Sequence, residues 1–180
     1  AGLVDAQASQ RTAQVYAYMK GIADSQYLIY GHQNEMNKKV SSLAGLSDTY
    51  DITQDFSGIV GVDGLALTGN ELSLTDVEKA AGVTYADKLV KLVMPAVNKG
   101  SILTMSCHMP NFADVLNKPK VNGEYDYTGY SPNVTSGEVV KRIMPGGDLN
   151  QVYIGYLDLV ADFLGKLQKE DGGFDISWEW

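Results

Sequence analysis

Gly100-Ser-Ile-Leu-Thr-Met-Ser-Cys-His-Met-Pro-Asn-Phe112 is the stretch on which the fold turns. Residues 102–105 read as a short buried strand that releases a histidine and an asparagine at its C-terminal end. Before it, residues 85–98 carry Tyr85, Leu89, Leu92, Val93 and Ala96 at the spacing that gathers apolar side chains on one helical face. A helix closed by Lys99-Gly100 and followed by an apolar strand is half of a βαβ unit. Parallel sheets built from such units place their chemistry beyond the carboxyl ends of the strands. His108 and Asn111 stand there.

The same unit recurs upstream. Residues 27–30, Tyr-Leu-Ile-Tyr, form an apolar run followed at once by Gly31-His-Gln-Asn-Glu35, and residues 59–62 form a β-branched run that ends in Asp63 between glycines. His32 and Asp63 are therefore candidate rim residues in the same sense as His108. Glu35 and Glu71 read as solvated surface carboxylates. Residues 4–22 predict an opening helix that closes one end of the sheet, and 65–84 a surface loop with a short helix near 76–80. Residues 113–148, rich in Gly, Pro, Asn and Tyr, read as a long functional loop. Its Tyr125, Tyr127 and Tyr130 offer flat faces to a sugar, although pinning the loop to the body is the commoner use of such tyrosines.

The clearest helix spans 149–169, with Asp148 as its cap and Tyr156, Val160, Phe163, Leu164 and Leu167 as its apolar stripe. Gly172-Gly173 stop it, and Phe174-Asp-Ile-Ser-Trp-Glu-Trp180 begins where a fourth strand is due. Strands alternating with helices predict an α/β fold of (β/α) barrel topology in one domain over 1–180. A full eightfold barrel needs about 250 residues, so the expectation is roughly the first half of one, incomplete at the C-terminus. An unclosed parallel sheet would favour self-association.

Composition narrows the function. With 44% hydrophobic and 20% charged residues the chain can bury one sizeable core. A net charge of −8 argues against nucleic acid and anionic membrane surfaces, and no apolar run approaches a membrane span. A soluble chain acting on a neutral ligand fits better. Two histidines and one cysteine make a multi-histidine or cysteine-based metal site unavailable, so no metal cofactor of that kind is expected. Cys107 and His108 point to opposite faces of a strand, which favours a structural thiol over a nucleophile.

Taken together, Ser101-Ile-Leu-Thr-Met-Ser-Cys-His-Met-Pro-Asn-Phe112, Gly129-Tyr-Ser-Pro-Asn133 and Met144-Pro-Gly-Gly-Asp-Leu-Asn150 resemble the N-terminal half of glycoside hydrolase family 26, nearest to its endo-β-1,4-mannanases. Gly31-His-Gln33 and Val60-Gly-Val-Asp-Gly64 agree with it. The resemblance covers roughly residues 25–171. It implies a (β/α) eightfold barrel and retaining hydrolysis of internal β-1,4-mannosidic bonds by a secreted enzyme whose partner is β-mannan. By the same resemblance His108 lines the sugar subsites, Asn111 belongs to its exit loop, and His32 and Asp63 shape the rim. Another endo-β-glycanase, acting on β-1,3-1,4-glucan or xylan, is the alternative within the family.

One departure bears on mechanism. The family's acid/base glutamate follows an Arg-Pro-x-His stretch at the end of strand four, and its nucleophile is a glutamate at the end of strand seven. Neither stretch is present. Glu179, between Trp178 and Trp180, is the carboxylate in the strand-four position, with Trp178 as a sugar platform; Trp-Glu-Trp does not match the family stretch, and a non-catalytic role is the stronger reading for Glu179. A non-catalytic carbohydrate-binding fragment is thus the second functional class.

Overall fold

The structure is a computed structural model, and it describes residues 3–39, 45–129, 138–167 and 176–178. Four strands form one parallel sheet in sequential order: β1 (Gly31–Gln33), β2 (Ile59–Asp63), β3 (Ile102–Ser106) and β4 (Ile176–Trp178). The register pairs Gly31 with Ile59, Ile59 with Ile102, and Leu103 with Ile176. All strand C-termini therefore open at the same end. This is the topology of one side of a (β/α) barrel.

Two helices cover one face of the sheet. Helix α4 (Tyr85–Asn98) starts at a capping box: the Thr84 hydroxyl accepts from Asp87 N–H while the Asp87 carboxylate accepts from Thr84 N–H. It buries Ala86, Leu89, Val93, Ala96 and Val97. Helix α7 (Asn150–Leu167) buries Val152, Tyr156, Val160, Phe163 and Leu167, the stripe that its 3.6-residue period predicts. Both stripes meet Val60, Val62, Leu103 and Met105 in one core. Side chains alternate along a strand, so Ile59, Gly61 and Asp63, with their register partners Ile102, Thr104 and Ser106, lie on the other face.

Several boundaries differ from the sequence expectation, each for a physical reason. The first strand begins at Gly31, not at Tyr27, because pairing with β2 starts only where Ile59 N–H reaches the Tyr30 carbonyl, 3.1 Å away. Tyr27, Leu28 and Tyr30 are left exposed. Helix α1 (Gln10–Ala23) starts six residues later than position 4, at the point where the Ser9 hydroxyl accepts from Thr12 N–H, and its Val15 and Tyr18 line a cavity of about 390 Å³ together with Val97 and Ile102 at the N-terminal end of β3.

The segment after β2 is no surface loop at first: Gly64–Thr68 is a wholly buried 3-10 turn, capped by the Asp63 carboxylate. Helix α2 (Asp48–Thr53) precedes β2, and α3 (Asp76–Ala80) falls at the expected place. The 113–148 excursion carries order of its own. It contains α5 (Phe112–Asn117), a bridge between Val121 and Glu124, and α6 (Val139–Ile143). Asp148 does not cap α7; its carboxylate takes two bonds from the Arg142 guanidinium at 2.9 and 2.6 Å. The Gly172-Gly173 stop lies outside the described residues. No helix among the described residues is long and apolar enough to cross a membrane.

Candidate functional site

Asp63, the last residue of β2, is the hub at the strand exits. Its carboxylate is 4% exposed and accepts four hydrogen bonds. Oδ1 takes Leu65 N–H at 2.9 Å and His108 N–H at 3.3 Å; Oδ2 takes the Ser106 hydroxyl at 2.7 Å and lies 2.5 Å from His108 Nδ1. A buried carboxylate held this way is well compensated for its lost hydration. Ser106 sits opposite Asp63 in the register and His108 lies two residues further on the same strand phase, so β2 and β3 together set the geometry.

The His108 side chain is 66% exposed, so Asp63 orients the ring from below while its Nε2 edge faces outward. The hydrogen bond to Asp63, the charge of Asp63 and then that of Glu71 raise the His108 pKa above its ordinary 6.5. The shift favours the imidazolium form, which donates from both nitrogens, one to Asp63 and one to a ligand oxygen.

Behind the pair stands Tyr156, fully buried on α7, whose hydroxyl donates to the His108 carbonyl at 3.1 Å. Only glycine fits at position 64 beside it, because a Cβ there would come within 2.4 Å of the Tyr156 hydroxyl oxygen. Burial pushes the Tyr156 phenol well above its usual range. Cys107 is half-buried against the same hydroxyl, and desolvation together with the nearby Asp63 charge raises its thiol pKa, the reverse of what a nucleophile requires.

Of the other sequence candidates, His32 does not join the pair. Its register partner is Val60, so it shares the phase of the helix-covered face, and its Nδ1 lies 3.4 Å from Glu35 Oε2. Glu35 is 1% exposed, not a surface carboxylate; Thr49 N–H also reaches it at 3.2 Å. Glu71 is no solvated group either. It accepts from Asn34 Nδ2 at 3.0 Å and from Lys38 Nζ at 2.8 Å, forming a polar ridge near His108.

Asn111 caps α5, its amide oxygen accepting from Ala113 and Asp114 N–H and its amide nitrogen donating to the Asp114 carboxylate. Tyr127 is buried with its hydroxyl on the Val152 carbonyl, the pinning use. Tyr130 and Glu179 lie outside the described residues, as does the Trp178 side chain; the backbone of Trp178 pairs with Met105.

Sequence reasoning missed Ser106 and read Tyr156 only as core and Glu71 only as a solvated carboxylate. Ser106 had a signal, since it shares strand phase with His108; Tyr156 and Glu71 reach the site from elements whose packing no local spacing reveals. Among the described residues no three His, Cys, Asp or Glu side chains gather as metal ligands.

A parallel sheet layered with helices, with polar side chains collected past its strand ends, defines a (β/α)-barrel type of protein. The profile of Glycosyl hydrolase family 26 matches residues 4–178, and the chain belongs to that family. Its structure is similar to the catalytic domain of the Bacillus sp. JAMB-750 endo-β-1,4-mannanase, with a TM-score of 0.71 and 26% identity over 99% of this chain and 44% of that one. It is similar also to an endo-β-1,4-mannanase of Cellulomonas fimi, with a TM-score of 0.65 and 25% identity over 98% of this chain and 36% of that one. A family 26 β-mannanase from Bacteroides ovatus shares the fold at a TM-score of 0.63 and 20% identity, over 95% of this chain and 44% of that one. The chain thus spans less than half the length of these structures.

Proposed function

We propose that the chain forms one wall of the sugar cleft of a secreted endo-β-1,4-mannanase that hydrolyses internal mannosidic bonds with retention. The observation that carries this is the Asp63–His108 pair, aimed outward from adjacent strand exits in a family 26 chain. In this reading His108 donates from Nε2 to a sugar oxygen, Asp63 positions the imidazole and favours its protonated form, and Ser106 fixes the carboxylate. The similarity to mannanase structures favours mannan over the mixed-linkage glucan and xylan alternatives.

Retaining hydrolysis requires two carboxyl groups about 5 Å apart, one to protonate the leaving oxygen and one to attack. Asp63 and Glu71 are both engaged by neighbours, so neither is offered as that pair. The attacking group belongs to sequence beyond the Asp63–His108 wall. This engagement favours a second reading, in which the 180 residues alone bind β-glycan without cleaving it.

Reducing-end release from galactomannan, measured for this chain and for a longer chain continuing past Trp180, tests both. Turnover only by the longer chain, with mannohexaose binding by the shorter, is expected. Failure of the longer chain to act on any β-mannan would overturn the enzyme reading.

A further inference from the structure

A second hollow lies away from the Asp63–His108 exit. A cavity of about 720 Å³ lies between α4, α7 and the 121–128 segment, and it shares no lining residue with the strand-exit cluster. Its volume is within the range of small-ligand sites, roughly 300–1,000 Å³.

The lining has two kinds of surface. Tyr85 and Tyr125, both partly exposed, supply aromatic walls, and Leu67 and Leu159 an apolar floor. Glu124 and Asp158 line the cavity exposed, with no side-chain hydrogen bond or ion pair among the described residues, and both act electrostatically on the Tyr127 phenol. Tyr127 itself has its hydroxyl committed to Val152. Carboxylates that only accept, beside aromatic and aliphatic walls, suit a ligand with several hydroxyl donors and a C–H face. Glu124, Asp126 and Asp158 make the lining acidic, with Lys120 Nζ 4.3 Å from the centroid of the Tyr125 ring, and among the described residues these carboxylates do not gather as metal ligands.

We propose that this cavity is a second carbohydrate site, holding a pyranose ring of a neutral β-glycan against Tyr85 and Tyr125 with its hydroxyls on Glu124 and Asp158. The choice of β-glycan rests on the proposed function, whereas the cavity itself does not. Such a site would keep a polymeric substrate at the protein between engagements of the cleft, raising its local concentration.

Amide NMR of the 180-residue chain with added mannohexaose tests it. Saturable shifts are expected at Leu67, Tyr125 and Leu159, separate from those at Leu65 and His108. The double variant Glu124→Gln/Asp158→Asn, both positions exposed and without side-chain partners among the described residues, should fold normally and weaken the cavity shifts by about tenfold while leaving the strand-exit shifts in place. Tyr85→Ala should weaken the cavity shifts likewise. Shifts at the strand exits alone would overturn the second site and leave the proposed function standing. Cavity shifts undiminished in the double variant would overturn the assigned contacts, and no shift at either place would sink both readings.

Discussion

At the scale of single residues, Asp63 and His108 depend on one another in a way that pH exposes. The folded-state pKa of His108 is raised, chiefly by its bond to Asp63. The stabilisation from that pair is therefore fully present below the unfolded value near 6.5 and is lost as pH rises through the higher folded value. Substituting Asp63→Asn should return the His108 titration, followed by its ring proton NMR signal, to the ordinary range; an unchanged titration would show that something else holds the ring.

Tyr156→Phe should cost about 1 kcal/mol, since it leaves the His108 carbonyl without its donor, and urea unfolding measures that. Gly64→Ala should cost more, about 1–3 kcal/mol, because the added methyl meets the Tyr156 hydroxyl oxygen at 2.4 Å. The strand-exit positions of His108 and Asp63 were legible in the sequence because each stands at the C-terminal end of an apolar run. Glu35 was misread because its burial depends on α2, whose Thr49 N–H it accepts; nothing in Gly31-His-Gln-Asn-Glu35 reveals that helix.

Among elements, periodicity was the reliable guide where it ran long. Helix α4 falls on residues 85–98 as read, and the buried stripe of α7 is the one its spacing gives. Short elements were set instead by partners outside them. The first strand moved to Gly31 because a ladder needs a neighbour, and α1 shortened to its Ser9 cap. The turn after β2 is buried because Asp63 draws in Leu65 N–H, a contact no composition rule for loops anticipates. Thr84→Ala, which removes the α4 capping box, should lower stability by about 1 kcal/mol. Unfolding in urea with an unchanged m-value is the check, since α4 packs in the core that α7 shares.

At the scale of the molecule, four parallel strands in sequential order carry helices on one face and turn Gly61, Asp63, Thr104 and Ser106 to the other. The order and direction of these strands were legible from alternating apolar runs and helices. Which candidates share a face was not, because that follows from register: His32 pairs with Val60, one phase away from Asp63. The proposed function requires that the exits of β2 and β3 form a sugar-binding wall with His108 at its surface. Following the His108 ring signals by NMR while mannohexaose is added examines that wall at its exposed residue. A saturable shift, diminished in Asp63→Asn, is the predicted result; ring signals unmoved up to the solubility limit of the sugar would contradict it.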